Sequence, residues 1–294
     1  MRITSGMISR STLRTIEANQ TRTEDLQNQI TSGSRMTRPS DDPIGAARAL
    51  SLQDGLTQSQ QYLKNIDQAL SFINTTDSAL DSVTQALSRA RELGVQAGNG
   101  TLSGSDRAAI QSEVEQLQSH VLDLAGSKYG PYYLFSGTAS SQPGYVQAAP
   151  SSVGGAYQGD DASVLREISP GASMAVNADA RKTFDPTFQA LQTLRNALAN
   201  NDQNAIQTGL TQLDTALDAV NSTRAELGAK SNRLEFVQQR QESVGVNLTE
   251  LLSNVKDVDM AEALVNFQMA QNVYSASLKA GAQAMQPSLL DYLH

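Results

Sequence analysis

The chain has 294 residues and a formal net charge of −8, with a pI of about 4.8, which excludes the basic footprint of a general nucleic-acid binder. Cysteine is absent, so disulfides, thiolate nucleophiles and the common cysteine-based zinc sites are excluded. Aromatic residues make up only 5% of the chain and tryptophan is absent, whereas Leu, Val, Ile and Ala dominate the apolar residues. This composition favours packing of helix against helix.

The N-terminal segment, residues 1–36, has apolar residues at helical spacing but a polar gap between Ile16 and Leu26. Such a segment is at best marginally helical alone, so we expect a partner to order it. It has neither the apolar core of a secretory signal peptide nor a run long enough to span a membrane.

Two adjacent carboxylates, Asp41 and Asp42, lie between Pro39 and Pro43. A catalytic or metal-binding pair would need further acids or a histidine close by, and the local sequence has none. We therefore interpret Asp42 as the N-cap of a helix whose first residue is Pro43.

Prolines are missing between Pro43 and Pro131 and again between Pro186 and Pro287, so both intervals can hold long helices. Apolar residues in both intervals follow the alternating three- and four-residue spacing of supercoiled helices. The longest of these series contains Leu234, Val237, Gln241, Val244, Leu248, Leu251, Val255 and Val258. Gly94–Gly104 is predicted to end one helix and form a loop.

Residues 129–188 contain most of the tyrosines and prolines, and short strand-like runs alternate there with turn signals. The predicted strands are Gly144–Gln147, Ala156–Gln158, Val164–Ile168 and Met174–Asn177. We expect this segment to be a small β-rich domain whose aromatic residues form its core.

The predicted fold is mainly α: an elongated antiparallel helical bundle or coiled coil formed by N- and C-terminal arms, with a small β-rich domain inserted in the middle. The predicted domains are terminal helical segments that order on assembly (1–50 and 250–294), a central helical bundle (51–135 and 186–249) and the β-rich insertion, which we expect to face outward (136–185).

No pattern predicts an enzyme, a cofactor or a metal site. His120 is predicted to point off its helix seam, and no phosphate-binding loop, dinucleotide fingerprint or zinc-protease motif occurs. Asp257 and Asp259 lack the additional acids and the glycine of a calcium-binding loop. Asp259 and Glu262 are instead predicted to cap a helix where the chain bends or restarts.

Several motifs resemble the flagellin-like axial proteins of bacteria when taken in this order. They are MRITSGMI at the start, ITSGSRMTRPSDDPIGAARAL at Ile30–Leu50, the loop from Gly98 to Ser103 with Asp106 and Arg107, Tyr133–Gly137, Tyr157–Asp160, Asp257–Ala263, Phe267–Gln271 and Leu289–Leu293. The opening Met1–Ile3 and the run Arg38, Pro39, Ser40, Asp41, Asp42 and Pro43 are more similar to the hook-associated members of this family than to flagellin itself.

The resemblance implies a structural subunit of the extracellular flagellum that links hook to filament. Its implied partners are the first hook-associated protein, flagellin, other copies of itself in a ring, a cytoplasmic export chaperone and the flagellar type III export apparatus, without nucleic acid or membrane insertion. We expect the contacts to be made by Leu248, Leu251, Val255, Val258 and Val265. There are two alternatives. One is a short flagellin, and the other is a type III-secreted tip or translocator protein.

Overall fold

A computed structural model describes residues 5–99, 102–147 and 155–284. The described chain is mainly helical, with small antiparallel strand pairs between its long helices, as the sequence predicts. The described helices are α1 (Ser5–Ser32), α2 (Pro43–Ala97), α3 (Gly104–Ala125), α4 (Ala180–Ala199), α5 (Gln203–Lys256) and α6 (Met260–Ala284). Most are long, and α2 and α5 are 55 and 54 residues.

Short polar side chains determine where the helices begin. Ser103 and Asp106 form a reciprocal capping box at the start of α3, and Asp179 accepts a hydrogen bond from the Lys182 N–H at the start of α4. Asp202 accepts from the N–H groups of Asn204 and Ala205 at the start of α5, each at 3.0 Å. These caps satisfy N–H groups that have no partner within their own helix.

The chain divides into two compact units. The central unit is Ser59–Ser243, and the terminal unit is formed by 1–58 together with 244–294. Helices α2 and α5 contribute residues to both. The three-part division expected from composition stays a prediction.

The core of the central unit is lined by α2 and α5, which run antiparallel. Small and polar residues, among them Ala69, Thr76, Gly209 and Thr223, alternate there with large apolar ones. Two larger residues, Leu70 of α2 and Leu210 of α5, are half-buried at the edge of this core. A Cβ on Gly209 would lie only 3.1 Å from the Leu194 Cα, so glycine permits α4 to pack closely on α5.

Three two-stranded antiparallel sheets lie between α3 and α4. Their strands are β1 (Lys128–Tyr129), β2 (Tyr132–Tyr133), β3 (Tyr145–Gln147), β4 (Gly155–Tyr157), β5 (Leu165–Ser169) and β6 (Ala172–Ala175), paired in sequence order. The four predicted strands correspond to β3–β6, whereas the hairpin β1–β2 was not predicted. The strands share one core with the helices, because Tyr145 packs its ring against Phe184 and Phe188 of α4.

Helix α4 begins earlier than the distribution of prolines suggests. The chain becomes helical at Ala180, and Pro186 lies inside the helix. The Asp179 cap explains this start. Pro186 falls in the second turn of α4, where its missing N–H removes one hydrogen bond.

Candidate assembly surface

In the terminal unit, α1 and α6 pack against each other as an antiparallel pair. The Asn19 side chain donates a hydrogen bond of 2.7 Å to the Ser277 hydroxyl, and Gly281 lies against Ile16 and Thr12. The polar gap noted in the sequence is therefore part of the contact. Asn19 and Thr23 lie within this gap, and both are half-buried like Ile16. Apolar periodicity alone does not reveal a contact made by an amide and a hydroxyl.

The segment that follows α1 pairs with the segment between α5 and α6. The Arg35 N–H donates to the Lys256 carbonyl at 2.7 Å, and the Val258 N–H donates to the Gly33 carbonyl at 3.1 Å. Ser34 and Asp257 form an isolated antiparallel bridge. Gly33 has a φ of +67°, a left-handed conformation that glycine adopts without steric cost.

The predicted motif Arg38–Pro43 is a turn followed by a helix start. Asp41 accepts hydrogen bonds from the Arg38 N–H at 2.9 Å and the Thr37 hydroxyl at 3.1 Å. The Arg38 N–H, and less strongly the Thr37 hydroxyl, hold the pKa of the Asp41 carboxyl below its ordinary value. Asp42 accepts from the Gly45 N–H at 2.9 Å and Pro43 is the first residue of α2, which confirms the predicted cap. Arg38, Pro39 and Ser40 are exposed.

The second acidic motif starts α6. Asp259 accepts from the N–H groups of Ala261 at 2.9 Å and Glu262 at 3.2 Å, so Asp259 caps the helix as predicted, and Glu262 contributes its N–H. The Asp257 N–H continues α5 by donating to the Ser253 carbonyl. The Asp257, Asp259 and Glu262 side chains are on exposed residues, and the groups that the structure describes include no cluster of three metal-ligating side chains.

The predicted contact residues differ in exposure. Leu251 and Val265 are 52% and 57% exposed, whereas Leu248, Val255 and Val258 are half-buried. Leu248 lies against Gly55 of α2, at the distance of an ordinary van der Waals contact for a Cβ placed there.

Further apolar side chains of the terminal unit are exposed that sequence reasoning did not select. They are Met7, Leu13, Ile44, Leu50, Val244, Val246, Met260, Leu264, Met269, Val273 and Leu278. In total, thirteen of the seventeen large apolar side chains exposed in the described chain belong to this unit. Its buried apolar residues, within the same described ranges, are two alanines, Ala263 and Ala270. An apolar surface of this kind marks a site of association.

Comparison with known proteins finds family matches in the N-terminal and the C-terminal parts of the chain. The family description "Bacterial flagellin N-terminal helical region" matches residues 3–140, and "Bacterial flagellin C-terminal helical region" matches residues 210–293. The flagellin of Bacillus subtilis is 30% identical over 97% of this chain and 97% of its own length. The chain belongs to the flagellin family.

Two other proteins similar to this flagellin-family chain are also flagellar. Flagellar hook-associated protein 3 of Escherichia coli K12 is 28% identical over 95% of this chain and 96% of its own length. The crystal structure of the flagellar junction protein FlgL from Legionella pneumophila superposes with a TM-score of 0.58 at 18% identity, covering 73% of this chain and all of that one. The structural likeness confirms the fold.

Two flagellin-like motifs that are distant in the sequence meet in the central unit. The Asp160 N–H donates to the Ser136 carbonyl, the Tyr157 hydroxyl donates to the Asp160 carbonyl at 2.6 Å, and the Asp160 carboxylate accepts from the Thr138 hydroxyl and N–H. The Thr138 hydroxyl, then its N–H, hold the pKa of Asp160 below the ordinary value. Gly137 has a φ of +63°, and a Cβ there would overlap the Asp160 carbonyl. Tyr133–Gly137 and Tyr157–Asp160 thus close one loop.

Other features of this flagellin-family chain follow from the described residues. His120 is exposed, as predicted. No described helix is long and apolar enough to cross a membrane. The start Met1–Ile3, Gly100, Thr101 and the closing run Leu289–Leu293, which contribute to the family resemblance, lie outside the described residues.

Proposed function

We propose that this chain is the junction subunit that joins the flagellar hook to the flagellin filament, and that it works as a structural adapter and not as an enzyme. The observation that carries the proposal is the contrast within one chain. A central unit with its own closed core accompanies a terminal unit whose large apolar side chains are mostly exposed. Such a terminal unit gains most of its stability from other subunits.

The partners follow from the family. As a junction subunit, the chain contacts the first hook-associated protein on one side, flagellin on the other and further copies of itself in a ring. Lateral head-to-tail contacts between identical subunits close into rings or continue as helices. Before export, a cytoplasmic chaperone covers the C-terminal helices, which otherwise expose Leu251, Val265 and Met269 to water.

Two observations support the junction function over that of a filament subunit. The hook-associated protein 3 of E. coli matches nearly its whole length here. The run Arg38–Pro43 and the opening Met1–Ile3 resemble the hook-associated members of the family. The observation that supports the alternative, a short flagellin, is the 30% identity with the B. subtilis flagellin.

Deletion of the gene tests the function directly. Electron microscopy of the deletion strain should show intact hooks without filaments, and the culture medium should contain unassembled flagellin. Normal filaments on the deletion strain would contradict the proposal. Long filaments formed by the purified protein alone would favour the flagellin alternative.

Substitution at the exposed apolar surface tests which residues make the contacts. We expect Leu251→Asp and Val265→Asp to abolish filament attachment or chaperone binding, because an interface that buries an unpaired carboxylate is strongly destabilised. Leu165→Asp is the matched control, since Leu165 is 62% exposed on β5 of the central unit. Equal loss of motility in all three variants, or normal attachment in the first two, would refute the assignment of contacts to the terminal unit.

A further inference from the structure

The central unit contains an aromatic groove that lies apart from the residues proposed above as contacts. Its volume is about 880 Å³, and it is bordered by α2, the hairpin β1–β2, the loop after β2 and the strands β5–β6. The lining residues that matter for binding are Gln68, Phe72, Tyr129, Tyr132, Tyr133 and Arg166. Both its size and its mixture of aromatic surface with a few polar groups are typical of binding sites for small ligands.

The aromatic rings are held in place by a short hairpin. Gly130, with a φ of +59°, and Pro131 form its two-residue turn, and Tyr129 pairs directly with Tyr132 across it. Paired residues share one face of a hairpin, so these two rings lie side by side. Tyr129 also packs edge-on against Phe72 of α2, with ring centroids 6.0 Å apart, while Tyr132 remains 52% exposed. The groove therefore presents the Tyr129 ring, which packs against Phe72, beside the exposed Tyr132 ring.

One charged side chain lines the groove, and it is a cation. Arg166 lines it, and no carboxylate of a described residue lies within ion-pair distance of its guanidinium. The other nearby cation, Lys128, does not line the groove, and its ammonium lies 4.4 Å from the centroid of the Tyr133 ring. No Asp or Glu is among the lining residues, although the whole chain has a net charge of −8. The local charge thus favours an anion and disfavours a cationic ligand for the aromatic rings.

We propose that this groove binds an acidic oligosaccharide. The C–H faces of sugar rings pack on the faces of Tyr132 and Tyr129, which carry partial negative charge. The Gln68 amide and tyrosine hydroxyls are placed to hydrogen-bond with ring hydroxyls, and Arg166 receives the carboxylate in a charge-assisted pair. An acidic peptide would pair with Arg166, but it would leave the paired tyrosine faces without flat apolar rings to cover them.

Calorimetric titration of the full-length purified protein with three probes tests the proposal. Tetragalacturonate has rings and carboxylates, its methyl ester keeps the rings without the charges, and tetraglutamate keeps the charges without the rings. We expect binding of tetragalacturonate that weakens as salt is added. The methyl ester should bind at least tenfold more weakly because it loses a charge-assisted hydrogen bond, and tetraglutamate should bind at least tenfold more weakly because it has no rings to cover the tyrosines. Tighter binding of tetraglutamate would overturn the proposal in favour of an acidic protein partner.

Variants locate the site within the molecule. Arg166→Gln and Tyr132→Ala should each weaken tetragalacturonate binding about tenfold. Arg233→Gln is the matched control, because Arg233 is an exposed arginine of α5 that does not line the groove. Both test residues are exposed, and thermal melts of the variants identify any that fail to fold. Failure of the wild-type protein to bind tetragalacturonate, or equal effects of all three variants, would overturn the proposal and leave the junction function untouched.

Discussion

The central and terminal units use the same helical spacing but obtain stability in different ways. In the central unit, α2 to α5 and the strands enclose a continuous core that includes Phe135, Phe184 and Leu194. In the terminal unit, α1 and α6 meet through alanines, a glycine and hydrogen-bonded polar residues, and the larger apolar side chains are exposed. Helical periodicity therefore specifies a helix without specifying whether the chain itself covers that helix.

Removal of one aromatic ring from each unit should give the largest difference. The Phe184 ring lies 4.8 Å from Phe135, 5.4 Å from Tyr145 and 6.1 Å from Phe188, measured between centroids. Phe184→Ala should lower the free energy of unfolding by about 3–5 kcal/mol in a urea titration, because it leaves a cavity. Phe267→Ala, at a half-buried residue of α6, should cost clearly less in the isolated protein and reduce filament attachment instead. Equal losses of stability would mean that the terminal unit has a core of its own.

Two glycines allow the stability cost of backbone strain to be measured apart from the cost of steric crowding. Gly33 and Gly137 have nearly the same φ, +67° and +63°, but a Cβ on Gly33 meets nothing within 4 Å, whereas one on Gly137 would overlap Asp160. Gly33→Ala should cost about 1–2 kcal/mol, the ordinary price of a left-handed residue with a side chain. Gly137→Ala should cost more, because the loop closed by Asp160 must open. Hydrogen exchange of the amides in each loop measures both effects, and a larger loss at Gly33 would contradict this explanation.

Two buried glutamines test whether polar residues support the central core. Both amide atoms of Gln118 in α3 are buried and have no hydrogen-bond partner among the described residues. We expect Gln118→Met to raise the free energy of unfolding by about 1 kcal/mol, because an unpaired buried amide is costly. Gln241→Met should not stabilise, since Gln241 accepts from the Ser59 hydroxyl and donates to the Ile168 carbonyl. Chemical denaturation of both variants makes the comparison, and stabilisation by Gln241→Met alone would reverse it.

The smallest expected effect is a dependence on acid. The pKa of Asp160 in the central unit and that of Asp41 in the terminal unit are both lowered by hydrogen bonds from threonine hydroxyls and backbone N–H groups. A lowered folded-state pKa gives stability that is present above the unfolded-state pKa and is lost as the pH falls through the folded-state value. Asp160→Asn and Asp41→Asn should each reduce the loss of local amide protection in acid. Unchanged acid sensitivity in both variants would show that neither carboxylate holds its loop.

Much of the fold could be predicted from local chemistry. The absence of proline between Pro43 and Pro131 allowed α2, and Asp42 and Asp259 begin α2 and α6 as expected. Four of the six described strands follow from turn residues and short apolar runs. The hairpin β1–β2 was missed because each strand has two residues, which is too short for an alternating pattern.

The sequence by itself determined the helical class, the starts of α2 and α6 and the family, because these depend on local backbone chemistry and on motifs in a fixed order. Only the tertiary structure decided which face of each helix is covered. Leu251 and Leu234 belong to one apolar series, yet Leu234 is fully buried and Leu251 is 52% exposed. The difference arises because burial depends on neighbours from distant parts of the chain, and in the terminal unit the described chain does not supply them for Leu251.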